Sequence, residues 1–434
     1  MYAASTSESL DFAKAKTNYA THGMHSFSAK FPPQLAGWGI EKFTEPGEIV
    51  LDPMCGSGTT LVEAALLGRN SLGADIDPLA RLISQVKSTP LDPVQLRNRC
   101  DLLLTRFSQR VFEWRRLRSI NSTKFPLDLP DFPNRDYWFS PEVSEELVLL
   151  KDEIQRIEGR DFQNFFYLVF SSLIITKGKT SVANVRDLAH SRPHYARPDK
   201  QPDVLEIFSQ KLRRLSDAMI AFTLTHRPET RATITGKDAG CLPVADNFVD
   251  LVFTSPPYVN AIDYQRAHKF SLFWLGDVLS LSPDEYTRLG REYVGTDRVP
   301  LAECNRRVNQ AFGLPLVDSI IKDIADLDVK RAGVAHRYFE SMQRIMAECA
   351  RVLRPQKRAV FVVCPSRIRS IDVPTHKVLI EIGENLKRIK NDRLVFEDMF
   401  ERALDDSKRQ LPFIRGEFGP GMRTEYVVVL RKDF

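Results

Sequence analysis

The chain lacks the marks of several protein classes. No run of 18 apolar residues occurs in its 434 positions, so no membrane span is expected. The opening stretch, MYAASTSESLDFAKAK, has no apolar core of the kind a secretory signal needs. The six cysteines, at 55, 100, 241, 304, 349 and 364, include no CxxC pair and no Cys/His cluster at zinc-ligand spacing. They read as free thiols in a reducing compartment, so a cytoplasmic location is expected and no metal. Internal repeats and low-complexity tracts are absent. A large excess of one charge is lacking too: 61 basic against 56 acidic residues leave a net charge of +5. That balance permits a polyanionic partner without diagnosing one, so the placement of the charge matters more than its sum.

What is present suits a folded soluble protein, with 43% hydrophobic and 27% charged residues. Residues 48–52, EIVLD, form a short β-favouring run. A glycine-rich turn follows, then helical apolar spacing from Thr59 to Leu67 with Gly68 as a stop, then a small strand at 71–74 ending in Asp75. Strand, turn, helix, strand and acidic residue make a βαβ unit of a doubly wound sheet. From about 92 to 231 long helical stretches dominate, broken by the polar loop HSRPHYARPDKQPD. Strand signals return at ATITGKDAG and NFVDLVFTSPPY. Residues 336–353 have the spacing of an amphipathic helix, RAVFVV that of a buried strand, and 426–430 that of a terminal strand.

Two stretches carry chemistry. In Asp52-Pro53-Met54-Cys55-Gly56-Ser57-Gly58-Thr59-Thr60, glycines after a strand let a ligand approach the backbone and expose N–H groups at a helix start. Asp75, closing the next strand, is placed to accept hydrogen bonds from two ribose hydroxyls. No Gly-Lys-Ser/Thr follows this turn, so an adenosine-type ligand without a triphosphate fits better than ATP. The bland alternative is an ordinary tight βα turn. The second stretch is Thr254-Ser255-Pro256-Pro257-Tyr258, a rigid tip on a buried strand. Its prolines donate nothing, but their carbonyls accept, Ser255 adds an acceptor, and Tyr258 offers an aromatic face. Two acceptors beside a stacking ring suit a planar heterocycle with an exocyclic amine. Accepting that amine's protons frees its lone pair for attack. A Pro-Pro turn that merely closes a strand is the competing reading.

Taken together, LDPMCGSGTT and TSPPY resemble the DNA amino-methyltransferases, which methylate N4 of cytosine or N6 of adenine from S-adenosylmethionine. HSFSAKFPPQL (25–35) is similar to that family's N-terminal motif, GADIDP and GKDAGCLP to its ribose and adenine contacts, and RVLRPQKRAVFVV and TEYVVVLRK to its later strands. The resemblance covers roughly 22–91 and 232–434. It implies an α/β, Rossmann-like class I methyltransferase fold, with a mostly parallel seven-stranded sheet and a helical insertion. The implied division is a catalytic domain of 1–91 and 232–434 around a 92–231 insertion that is a candidate target-recognition region, with the chain after 276 as a second candidate.

By resemblance, Lys30, Phe31, Asp52, Pro53, Gly56, Ser57, Gly58, Thr59, Thr60, Asp75, Asp238 and Ala239 would line the cofactor. Ser255 and the Pro256 carbonyl would receive the amino protons, with Pro257 and Tyr258 completing the tip and Tyr258 stacking on the base. The substrate implied is double-stranded DNA, with the target base flipped at a cost of roughly a few kcal/mol. Serine in the first tip position is typical of the N4-cytosine members, so N4-methylcytosine is the expected product. A restriction endonuclease is a possible partner. The competing readings are an N6-adenine or RNA methyltransferase with the same tip, and a non-catalytic regulator on the same fold. C5-cytosine chemistry would need a Pro-Cys tip; Cys364-Pro365 has the reverse order and reads as a core thiol. For phosphate contacts the candidates are Arg266 and Lys269 after the tip, Arg192 and Arg197 in the polar loop, and the stretches around Arg298 and Asn305-Arg306-Arg307. His268 is a conceivable general base that the chemistry does not require.

Overall fold

The computed structural model describes residues 10–12, 14–28, 30–120, 124–174, 182–183, 202–259, 263–386, 393–403 and 424–433. Helix α1 (Pro33–Phe43) starts with proline at its first position, where no N–H is missed. Strand β1 (Ile49–Asp52), helix α2 (Thr59–Leu66), strand β2 (Asn70–Ala74) and helix α3 (Pro78–Ser88) follow. Five helices come next: α4 (Pro93–Ser119), α5 (Arg135–Trp138), α6 (Pro141–Gln155), α7 (Arg160–Ile174) and α8 (Val204–Thr225). The sheet resumes with β3 (Ala232–Gly236) and β4 (Val249–Thr254). A second helical run holds α9 (Tyr264–Trp274), α10 (Pro283–Glu292), α11 (Leu301–Val308), α12 (Pro315–Ala325) and α13 (Val329–Val352). The chain closes with β5 (Leu353–Val363), a small hairpin of β6 (Ser366–Ile368) and β7 (Ile371–Val373), α14 (Thr375–Glu384), β8 (Leu394–Ala403) and β9 (Thr424–Lys432).

The seven-stranded sheet has the order β3-β2-β1-β4-β5-β9-β8. Its first five members are parallel, and β9 lies antiparallel between β5 and β8. The fold expected from the sequence is therefore the fold observed. Strand β4 is buried along its whole length, as a central parallel strand should be. Leu251 and Phe253 join Val50, Val360 and Val362 under α1. Val252 joins Leu51, Ala359 and Phe361 under α13 on the opposite face. The chain winds outward to β3 in one direction and to β5 in the other. The order reverses between β1 and β4, where a crevice opens beyond the strand ends.

Helix α1 lies close to the sheet because Gly39 has no side chain. A Cβ there would sit 2.3 Å from Cε2 of the buried Phe253 ring. Gly39→Ala is expected to cost about 1–3 kcal/mol of stability by overpacking. Urea unfolding checks it, and an unchanged midpoint would show that α1 can shift freely.

Helices α4–α8 lie between α3 and β3 in sequence, but their core is not private. Phe107, Leu147, Phe166, Phe170 and Phe208 pack in one cluster with Leu82, Ile83 and Val86 of α3 and with Phe270 and Trp274 of α9. Among the described residues no helix is long and apolar enough to cross a membrane.

Candidate active site

The ends of β1, β2, β3 and β4 converge on a cavity of about 1040 Å³. Its floor is the turn after β1. Gly56 and Gly58 both adopt positive φ, +48° and +75°, which other residues resist. Gly58 N–H donates to Cys55 O at 2.7 Å, closing the turn at the start of α2. Asp52 is buried and holds the turn from inside: one oxygen accepts from Met54 N–H, the other from Thr60 Oγ1 at 2.8 Å. Burial raises its pKa to about 6, against the pull of the Thr60 and Met54 hydrogen bonds. Beneath the turn, fully buried Lys87 donates to Ser57 O at 2.5 Å, and burial pushes its pKa well down.

Asp75 stands beside this turn. Its oxygens accept from Gly56 N–H at 2.8 Å and from Asp77 N–H at 2.9 Å. Burial, and then the nearby charge of Asp77, raise its pKa to about 7. A carboxylate has about four lone-pair sites, so two remain for further donors. Asp77 itself caps α3 and meets His268 Nδ1 at 2.6 Å. His268 is buried, joins α9 to α3 through this contact and does not line the cavity.

The N-terminal segment covers one side. Phe27 sits over Gly56, close enough that a Cβ there would be 3.2 Å from its ring. Lys30 and Phe31 line the cavity, with Lys30 Nζ donating to His22 O at 3.2 Å. His25 anchors the segment through Nε2 to Ser171 Oγ at 2.9 Å, and Ser171 donates on to Ser271. Burial drops the His25 pKa to about 3, so this joint stays uncharged.

At the end of β4, Ser255 Oγ donates to Val362 O at 3.0 Å, fixing the tip against β5. Ser255 and Pro257 line the cavity. Pro256 and Tyr258 stand behind its wall, with the Tyr258 hydroxyl 3.5 Å from Cys364 Sγ. Cys364 is buried in the core.

Of the cofactor residues named from sequence, Lys30, Phe31, Asp52, Pro53, Gly56, Ser57, Thr59, Asp75, Asp238 and Ala239 share the one cavity. Gly58 and Thr60 shape its floor from behind. Asp238 accepts from Gly240 N–H and from Arg344, both at 2.8 Å. The phosphate candidates fare differently. Arg192 and Arg197 lie outside the described residues. Arg266 is exposed on α9 and does not line the cavity. Lys269 places its ammonium 4.3 Å from the Trp138 ring centroid and 4.5 Å from that of Phe270. Lys269→Gln is expected to lower stability by about 0.5–1 kcal/mol while leaving DNA affinity within about twofold. A selective loss of DNA affinity in binding titrations would reverse that assignment.

Sequence reasoning passed over the far wall. Arg288, Glu292, Tyr293 and Val294 come from the end of α10 and just beyond, and Arg337, Glu340 and Arg344 from α13. No motif marks them; only the amphipathic spacing of 336–353 was visible.

Residues 7–85 match the family model for DNA methylases of the N6 and N4 type. The chain is 28% identical over 398 residues to the Type II methyltransferase M.MvaI of Kocuria varians, covering 86% of this chain and 83% of that one. It is 22% identical over 360 residues to M.MjaII of Methanocaldococcus jannaschii, covering 66% and 67%, and 26% identical over 285 residues to M.BsoBI of Geobacillus stearothermophilus, covering 61% and 54%. Sheet order and crevice define a Rossmann-like α/β fold. Over residues 7–85 by the family model, and over most of its length by the comparison with M.MvaI, the chain is similar to DNA amino-methyltransferases.

Proposed function

We propose that the chain methylates N4 of cytosine at a specific site in double-stranded DNA, with S-adenosylmethionine as donor. The observation that carries this reading is the shared cavity: the Ser255-Pro257 tip and the Gly56–Asp75 floor open into one space. At about 1040 Å³ it lies at the top of the usual range for a small-molecule site, about 300–1,000 Å³, with the tip and the floor both on its wall. The floor also fits the cofactor chemically. Two positive-φ glycines leave the turn bare, and Asp75 retains acceptor capacity for a ribose.

The cofactor supplies an electrophilic methyl group on a sulfonium. The protein's part is to position and to accept. Asp75 would take the ribose hydroxyls, Asp238 and Ala239 would hold the adenine, and Lys30 and Phe31 would hold the methionine end. Ser255 Oγ, its own proton committed to Val362 O, presents lone pairs to the target amine. The Pro256 carbonyl, not a lining group of the cavity here, would be the second acceptor once a base is seated at the tip. Together they draw the amine toward tetrahedral geometry and localise its lone pair for attack. The proton lost as the new bond forms passes to solvent, because His268 is walled off from the cavity. The base reaches the tip by flipping out of the duplex. Residues 1–91 and 232–434 form the catalytic domain in this reading, with 92–231 as an insertion. The Type II names of the relatives suit the modification half of a restriction system with a cognate endonuclease.

The test is direct. Purified protein, methyl-labelled S-adenosylmethionine and mixed genomic DNA are incubated, and the DNA is digested to nucleosides for mass spectrometry. Label in N4-methyldeoxycytidine is the expected result. Label in N6-methyldeoxyadenosine would keep the tip chemistry and overturn the base; label only in an RNA control would overturn the substrate. Tyr258 does not line the cavity here, so its stacking role needs the ring to turn from Cys364 onto the base; on that reading Tyr258→Ala lowers turnover about 10- to 100-fold in the same assay, the worth of one base–aromatic stack, with cofactor affinity unchanged. Unchanged turnover would make Tyr258 a prop for Cys364 and nothing more.

A further inference from the structure

The cavity has two chemically different sides. Its floor presents Asp52, Asp75 and Asp77 at the strand ends, and its far wall presents Arg288, Arg307, Arg337 and Arg344 from α10, α11 and α13. We propose that this arginine wall, not the helical insertion, is the surface that grips the DNA phosphates around the flipped nucleotide. The proposal rests on the DNA-methylating reading above and assigns the partner's binding surface within it.

Three observations carry it. The first is how loosely most of the wall is paired. Arg288 is largely exposed, with Glu285 and Glu292 of its own helix at 3.9 and 3.6 Å. Exposed pairs of this kind are worth about 0–1 kcal/mol, so a phosphate displaces them readily. Arg337 donates to a backbone carbonyl, Arg291 O at 2.5 Å, and meets no carboxylate there. Arg344 is exposed and pairs with Asp238 at the cavity edge. Arg307 is the exception, held by Glu303 at 3.0 Å and by Glu340.

The second observation is the wall's connection to the tip. Arg298, just beyond α10, binds Asp263 at 2.8 Å, and Gln265 donates to Tyr286 O of α10. Asp263 and Gln265 open α9, the first helix after Ser255-Pro256-Pro257. The helix that carries Arg288 is thus tied to the element that follows the base-activating tip, on the side where phosphates flanking a flipped base would pass.

The third observation is where three arginines of the insertion spend their charge. Arg110 of α4 binds Asp152 and Glu153, Arg115 binds Glu146 and Asp203, and Arg118 binds Glu142 and Glu145. These guanidiniums hold α4 to α6 and to the start of α8. No residue of 92–231 lines the cavity among those described.

The test uses the full-length chain and a 30-base-pair duplex of arbitrary sequence, since phosphate contacts need no recognition site. Affinity is measured by anisotropy across a salt series. Each phosphate contact contributes about 0.9 to the slope of log K against log salt. Arg288→Gln/Arg337→Gln is expected to reduce that slope by about 2 and to weaken binding at least about tenfold, with S-adenosylmethionine affinity within about twofold of the parent. Arg288→Glu alone, at an exposed position, gives the same direction if the double variant folds poorly. Arg192→Gln/Arg197→Gln is expected to leave the slope unchanged. A slope that falls in the Arg192/Arg197 pair and stays fixed in the Arg288/Arg337 pair would overturn the proposal alone. A parent protein that binds S-adenosylmethionine but no duplex would overturn the DNA reading itself, and the proposal with it.

Discussion

Asp75→Ala is expected to weaken S-adenosylmethionine binding by at least about 100-fold. The substitution removes a charged acceptor for two ribose hydroxyls, each such bond being worth about 1.5–3 kcal/mol. It also strips the partners from Gly56 N–H and Asp77 N–H, which the carboxylate holds at 2.8 and 2.9 Å. The pH dependence follows from the same group. Its pKa stands near 7 because burial and the Asp77 charge disfavour ionisation. Hydroxyl donors favour the ionised form, so binding releases a proton wherever Asp75 begins protonated. Affinity should therefore rise with pH up to about 7 and level off above, falling by up to about tenfold per unit below. Asp75→Asn should flatten this profile while the titration of the cofactor's own amine persists. Calorimetry from about pH 5.5 to 8.5 decides the matter. A profile equally steep in both proteins would move the ribose elsewhere.

Gly58→Ala should be nearly as severe, and it acts through the fold. At φ +75° a Cβ costs about 1–2 kcal/mol in backbone strain. That Cβ would also lie 2.8 Å from Ser84 Cα and 2.9 Å from Ser84 Cβ in α3, neither of which can swing aside. Overpacking adds about 1–3 kcal/mol. The total, about 2–5 kcal/mol, is a large part of the roughly 5–15 kcal/mol that holds a domain folded. The floor turn should shift with it and cofactor binding should fail. Gly47→Ala is the control: φ is +88°, but nothing lies within 4 Å of the added carbon. If the two variants unfold at the same denaturant concentration, strain alone matters and the contact with α3 does not.

The sequence disclosed those parts of the molecule whose constraint is local. A bare turn needs Gly56 and Gly58, a buried strand needs VDLVF, and a rigid tip needs paired prolines; each leaves its residues in consecutive positions. The helix read at 336–353 is the C-terminal part of α13, which starts at Val329. Strand β8 went unread because LVFEDMFERA places Glu397, Asp398, Glu401 and Arg402 among its apolar residues. Arg402 is buried against Glu425 of β9, a partner more than twenty positions away. The far wall was illegible for the same reason. Arg344 belongs to the site because Asp238 lies opposite it, and nothing near position 344 reports that. Lys269 shows what position alone leaves out: a basic residue beside the tip suggests phosphate, and its ammonium lies 4.3 Å from the Trp138 ring centroid.

The sharing of one core between α3, the inserted helices and α9 bears on how the chain emerges during synthesis. Strand β2 ends at Ala74, and its neighbour β3 begins only at Ala232. By the time Thr225 leaves the ribosome, α3, α4, α6, α7 and α8 can already bury Leu82, Phe107, Leu147, Phe166 and Phe208 against one another. The nascent chain then has a helical half with a nearly complete interior and a sheet of only two strands. Both neighbours that flank this β1-β2 pair in the finished sheet, β3 and β4, are still to come. Excising 92–231 would accordingly do more than shorten the protein: it would remove the first interior the growing chain can form and leave α3 with an uncovered apolar face.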